Sequence, residues 1–194
     1  MSHAASLPRR RPVVLGDLLA RTRWGDTVLV VVAAGFVGAL AQISIHLSFT
    51  PVPITGQTLG VLLAGTALGW KRGAAAMALY GLAGVAGIPW FAGHSSGYTG
   101  ASFGYIIGFV FCAGLCGWLA ERGADRSIMR SVPAMIAGEI AIYALGVSWL
   151  AVSLHVGIST AIALGFTPFL AGDSIKTALA AGLLPGAWKL AGRH

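Results

Sequence analysis

The chain has 194 residues, 56% of them hydrophobic and 10% charged, with a mean hydropathy of +0.80. That is more apolar surface than one water-soluble core of this size hides, which excludes an ordinary soluble domain and implies solvation by lipid. The net charge of +7 does not point to nucleic acid, because the cations stand in short clusters between apolar runs, the arrangement that orients membrane proteins.

Residues 1–24 form a basic extension carrying Arg9, Arg10, Arg11, Arg21 and Arg23. No short apolar core with a small-residue cleavage site follows the first arginines, so the segment is expected to be retained. Val14, Leu15, Leu18 and Leu19 recur at helical spacing before Arg21 and Arg23, the pattern of a short amphipathic helix lying on anionic lipid.

Residues 25–194 read as a single transmembrane domain. Runs of ~20 mainly apolar residues mark spanning helices, and the sequence offers six: Thr27–Leu47, Gly56–Trp70, Gly73–Phe91, Ala101–Ala120, Ser131–Leu154 and Pro168–Trp188. The expected fold is an all-α, multi-pass protein of the cytoplasmic membrane with about six transmembrane helices. The second run is short, so Pro51–Thr55 before it is expected to fold into the protein, where backbone polar groups need internal partners. Gly157–Gly165 is too short to span and reads as an outer loop or half-helix.

With six spans, twelve of the thirteen Lys and Arg residues fall on one side. The opposite loops, around 48–55, 89–100 and 155–165, contain no Lys, Arg, Asp or Glu. Cations gather on the cytoplasmic side, so both termini are expected to be cytoplasmic. Small residues recur four apart, as in Ala34/Gly38, Gly35/Ala39 and Gly104/Gly108, which lets helix backbones approach closely. Cys112 and Cys116 suit two small residues on a packed helix better than a disulfide or metal site.

Three charged residues lie inside predicted spans: Glu139, Asp173 and Lys176. Such residues are costly in lipid and mark ligand sites or ion paths. Asp173 and Lys176 are three apart and share a helical face, where they can neutralise each other. Lys176 is also the one cation that the charge rule leaves over. It stands ~20 Å from the boundary marked by Lys189, in the outer part of the membrane. An outer vestibule would draw Thr55, Gln57 and Thr58 from the first outer loop and Trp90, Phe91, His94, Tyr98, Ser102 and Tyr105 from the second. Apolar walls with a few converging polar groups make a small-molecule site. Gln42 and His46, four apart, are expected to satisfy each other. Glu139 is either a neutral hydrogen-bonded group or part of a proton path.

No nucleophile elbow, paired His motif or P-loop occurs, so neither an enzyme nor a cofactor or metal site is expected. Any ATP-driven role requires an ATPase on another chain. The alternative class is a stand-alone, proton-coupled secondary carrier using Glu139 and Asp173.

The run from Thr50 to Gly65, TPVPITGQTLGVLLAG, resembles the signature of the BioY family of biotin transport proteins. Gly100–Phe109 (GASFGYIIGF) and Pro168–Ala181 (PFLAGDSIKTALAA) resemble the same family in the same order. Gly56 departs from the pattern, which usually has a larger apolar residue there, and so does the run from Ala101 to Tyr105. The resemblance implies a substrate-capture subunit of an energy-coupling-factor transporter. Its partners would be a transmembrane coupling subunit and cytoplasmic ATPases. Biotin would be held by Asp173, Lys176, Gln57, Thr55, Tyr105, Ser102, Trp90 and Phe91. It further implies that a small-residue strip on the first helix, centred on Ala34 and Gly38, docks the coupling subunit.

Overall fold

The computed structural model describes residues 14–19 and 22–192. Most of the basic extension, including Arg9, Arg10, Arg11 and Arg21, lies outside the described residues, as does Arg193. The described part of the extension forms a four-residue helix, α1 (Gly16–Leu19). It is seated on protein as well as facing outward: Val14 is buried, Leu19 is exposed, and Asp17 pairs with Arg72.

Helix α2 (Arg23–Ala41) starts where the Thr22 hydroxyl accepts the Gly25 N–H at 3.2 Å, an N-cap. It stops short of the expected boundary at Leu47, because the chain turns into β1 (Ser44–Ile45), paired antiparallel with β2 (Ile54–Thr55). The hairpin loop finds its hydrogen-bond partners within the protein. The Thr50 hydroxyl donates to the Leu164 carbonyl at 2.8 Å and accepts the Val52 N–H at 3.2 Å, while the Gly56 N–H reaches the Ile43 carbonyl at 3.1 Å. Helix α3 (Gln57–Leu68) joins α4 (Trp70–Val85) through Gly69 alone, whose φ of 82° lies in the left-handed region that glycine tolerates. Then come α5 (Phe103–Ala120), α6 (Ile128–Leu154), the short α7 (Ile158–Gly165) and α8 (Leu170–Leu190). Gly157–Gly165 is thus a half-helix rather than a loop.

Among the described residues, four helical stretches are long and apolar enough to cross a bilayer: Arg23–Ala41, Phe103–Ala120, Ile128–Leu154 and Ile158–Leu190. With 12 residues, α3 falls short, since it rises only ~18 Å against a hydrocarbon core of ~30 Å. Large apolar side chains such as Val28, Val152, Leu183 and Leu190 stand exposed around the helices, the surface expected of a lipid-solvated chain.

The helices α2, α3, α4, α5, α6 and α8 run alternately between two ends. At one end Arg72 lies 3.4 Å from Asp26, Glu121 accepts the Trp70 N–H at 3.1 Å, and the Trp188 indole donates to buried Asp125 at 2.5 Å, with Arg126 stacked on the indole. Burial pushes the Asp125 carboxyl above its usual range, while Trp188 and Arg126 pull it back. At the other end the β-hairpin, the 86–102 segment and α7 converge.

Glycine sets the spacing between helices. A Cβ on Gly65 would lie 2.5 Å from the Ala113 Cα, one on Gly108 2.7 Å from the Ile142 Cα, and one on Gly138 2.5 Å from the Cys116 Sγ. Cys112 and Cys116 are free and buried in the α5–α6 seam. Gly65→Ala must push α3 away from α5, at ~1–3 kcal/mol for overpacking. Gly182→Ala on α8 meets nothing within 4 Å. In detergent melts Gly65→Ala is expected to lower the transition clearly and Gly182→Ala to leave it level or raise it; equal melts would contradict this packing.

Candidate functional site

The ends of the helices opposite the basic clusters enclose a cavity of about 210 Å³, below the ~300–1,000 Å³ of drug-sized sites and suited to a compact ligand. Its roof is the hairpin (Val52, Pro53, Thr55) with the 91–100 segment. Its walls come from α3 (Gln57, Thr58), α5 (Phe103, Tyr105, Ile106, Phe109) with Ser102 just before it, and α6 (Ile142, Tyr143). Its floor is Phe169 with Asp173 and Lys176 of α8.

The local sequence explains these positions. Thr55 ends β2 and turns the chain into α3, where its hydroxyl donates to Gln57 Oε1 at 2.9 Å and accepts the Gln57 N–H at 3.2 Å. Gln57 then donates to the Tyr80 hydroxyl at 2.8 Å, which donates to the Trp90 carbonyl at 3.2 Å. Gly56 answers for its departure from the family pattern: a Cβ there would sit 3.0 Å from the Leu40 carbonyl oxygen. Tyr105 crosses the cavity wall to donate to the Gly165 carbonyl at 2.7 Å, and Gly165 must be small because a Cβ would lie 2.2 Å from that hydroxyl.

Asp173 and Lys176 meet at 2.7 Å across one turn of α8. Asp173 is buried, and Tyr143 donates to its second oxygen. Two opposite charges in an apolar site neutralise each other, and the extra hydroxyl satisfies the remaining carboxylate oxygen. Tyr143 itself is held edge-on between Tyr105 and Phe166, at ring distances of 6.4 and 4.8 Å. The result is a neutral, hydrogen-bonded pair facing the cavity.

Seven of the eight predicted ligand residues line this cavity: Asp173, Lys176, Gln57, Thr55, Tyr105, Ser102 and Phe91. Trp90 does not. Its ring packs on Gly38 and Tyr80, and its indole N–H donates to the Tyr80 carbonyl at 3.0 Å, behind the wall that Phe91 forms. Thr58 is on the wall, whereas His94 and Tyr98 stand outside it. Gln42 does not pair with His46: it donates to the Gly38, Trp90 and Phe91 carbonyls at 3.1, 3.1 and 3.2 Å and accepts the His94 N–H at 3.3 Å, pinning the 90–94 segment to α2.

The docking strip expected on the first helix also needs correction. Ala34 is fully buried and Gly38 is covered by Trp90, so this face is internal packing. The helix turns its other small pair outward: Gly35 has nothing within 4 Å of a Cβ, and Ala39 is exposed. Sequence reasoning missed Tyr143, Ile142 and Phe169. Tyr143 carried a signal, since it follows Glu139 by one helical turn in a predicted span, but no spacing within α6 shows that it reaches Asp173.

The BioY family model matches residues 14–193. The chain belongs to the BioY family. Its BioY relatives include the biotin transporter BioY of Rhizobium etli, 35% identical over 80% of this chain and 89% of that protein. The biotin transporter BioY of Thermotoga maritima is 38% identical over 77% of this chain and 90% of that protein. These relatives are transporters rather than enzymes. The fold is similar to the crystal structure of the S-component for biotin from an ECF-type ABC transporter, with a TM-score of 0.76 and 26% identity, covering 88% of this chain and 95% of that one.

Proposed function

We propose that this chain captures biotin in the cavity above Asp173 and Lys176, as the substrate-binding subunit of an energy-coupling-factor transporter whose coupling subunit and ATPases are separate chains. The observation that carries the reading is the tyrosine-supported pair of buried Asp173 and half-buried Lys176 at the floor of a small cavity, in a BioY-family fold. Biotin offers two ureido N–H donors, a carbonyl acceptor, an apolar bicycle and a carboxylate. Asp173 suits the N–H donors and Lys176 the carbonyl or carboxylate, by charge-assisted bonds. Thr55, Gln57, Ser102 and Tyr105 add neutral partners, and Phe91, Phe103 and Phe109 apolar walls. A proton relay through Glu139 has less support, because Glu139 does not line this cavity.

The alternation of helices supports six crossings, with the basic end in the cytoplasm and the cavity opening outward. Lys71, Arg122, Arg126, Arg130 and Lys189 all stand at the end opposite the cavity, as cations of the cytoplasmic side do. The short α3 is compatible with a crossing because β2 and the hairpin loop, with their polar groups satisfied internally, complete its depth. The coupling subunit would seat on the outward face of α2, where Gly35 and Ala39 permit close approach and Val28, Val32 and Phe36 give apolar contact.

Asp173→Asn and Lys176→Met are each expected to weaken biotin binding by roughly 10- to 150-fold, the worth of one charge-assisted bond. Titration of the purified variants, with a thermal melt to establish folding, tests this; near-native affinity in both would sink the assignment. Gly35→Trp should leave biotin binding near native while cutting partner-dependent uptake at least about tenfold. Unimpaired uptake would remove that face from the interface. For topology, an alkaline phosphatase fusion at residue 94 should be active and one at the C-terminus inactive, and the reverse pattern would invert the orientation.

A further inference from the structure

Two polar rungs, one helical turn apart, join α6 to α8. Tyr143 donates to Asp173, and the Thr177 hydroxyl donates to Glu139 Oε1 at 2.6 Å. Positions 139 and 143 are four apart on α6, and 173 and 177 are four apart on α8, so the rungs stack along one antiparallel seam. Only the first borders the cavity; neither Glu139 nor Thr177 lines it. Thr177 is buried in the seam, while Glu139 opens to an apolar groove bounded by α6, α7 and α8. A carboxyl group in such surroundings is costly, and the Thr177 hydroxyl is the hydrogen-bond partner the structure gives it.

The second rung matters because burial alone fixes α8 weakly. Ile175, Leu179 and Leu183 are exposed while Ala180, Ala181 and Leu184 are buried, so apolar residues lie on both faces. Apart from Asp173, Lys176 and Thr177, the residues of α8 do not distinguish one face as polar, so these groups and their partners set its rotation. Polar cross-links do have a geometric preference, and a rotation of α8 would swing Asp173 and Lys176 off the cavity floor. Glu139 also lies within electrostatic reach of both.

We infer that Glu139 and Thr177 are positioning residues, whose hydrogen bond fixes the rotation of α8 and so aims Asp173 and Lys176 into the cavity. This rests on the biotin-binding reading above. The bond needs an acceptor at 139 and a donor at 177, not a charge.

The test is biotin titration and a thermal melt of purified variants. Thr177→Val and Glu139→Leu are expected to weaken biotin binding about 3- to 10-fold. Thr177→Ser, which keeps the donor, and Glu139→Gln, which keeps an acceptor, are expected to recover affinity to within about twofold. Because the rung acts through Asp173, Thr177→Val should add little to the loss already caused by Asp173→Asn. Native affinity in folded Thr177→Val, an additive loss in the Asp173→Asn background, or a Glu139→Gln defect as large as that of Glu139→Leu would each overturn the inference. The last would assign the effect to the charge. Wild-type protein that binds no biotin would overturn the functional reading itself, a result distinct from all of these.

Discussion

A lysine and an aspartate inside a bundle this apolar are tolerable only as a pair. Separated, each is an uncompensated charge in a medium that solvates it poorly; together, at 2.7 Å with a tyrosine on the free carboxylate oxygen, they form a neutral and satisfied group. The rest of the cavity end supports that arrangement. Tyr143 comes from α6, so α6 and α8 pack in one register, and the loops lining the cavity above find their hydrogen-bond partners within the protein. On the proposed function, a ligand meeting such a neutral pair exchanges bonds for bonds, without leaving a bare charge in the apolar interior.

Small residues make this geometry possible. Glycines bring α3, α4 and α5 within backbone contact at Gly65, Gly73 and Gly117, and α5 and α6 at Gly108 and Gly138, where the cysteine sulfurs fill the remaining space. With little hydrophobic driving force between helices in lipid, such close van der Waals packing and a few interhelical hydrogen bonds hold the bundle. Aromatic side chains pack the cavity end. There Phe91 fits over Gly84 and Trp90 over Gly38, and the aromatic layer of Tyr80, Trp90 and Phe91 holds the 86–102 segment on α4.

The two small-residue pairs of α2 show where one-dimensional reading stops. Ala34/Gly38 and Gly35/Ala39 have the same spacing and the same composition in reverse order, offset by one residue. Along the sequence nothing ranks them. In the fold, the rotation of α2 buries the first pair, with Gly38 under Trp90, and turns the second outward. Gln42 is similar: His46, four residues away, was the local expectation, but the Trp90 and Phe91 carbonyls and the His94 amide, brought in by the 90–94 segment, satisfy it together with the Gly38 carbonyl of its own helix.

Composition and periodicity by themselves determined that the chain is helical and lipid-solvated, and charge placement divided its basic end from its uncharged end. The motif around Asp173 and Lys176 located the polar floor, because a charged pair three apart in an apolar run is both rare and local. Local signals also marked Thr55 and Gln57, two residues apart at one turn. Tertiary structure decided what depends on helix rotation and on contacts between distant segments: Tyr143 on Asp173, Thr177 on Glu139, Trp90 behind the wall rather than on it. A helix apolar on all sides carries no face preference in its sequence, so its rotation is set only by the packing and hydrogen bonds it meets.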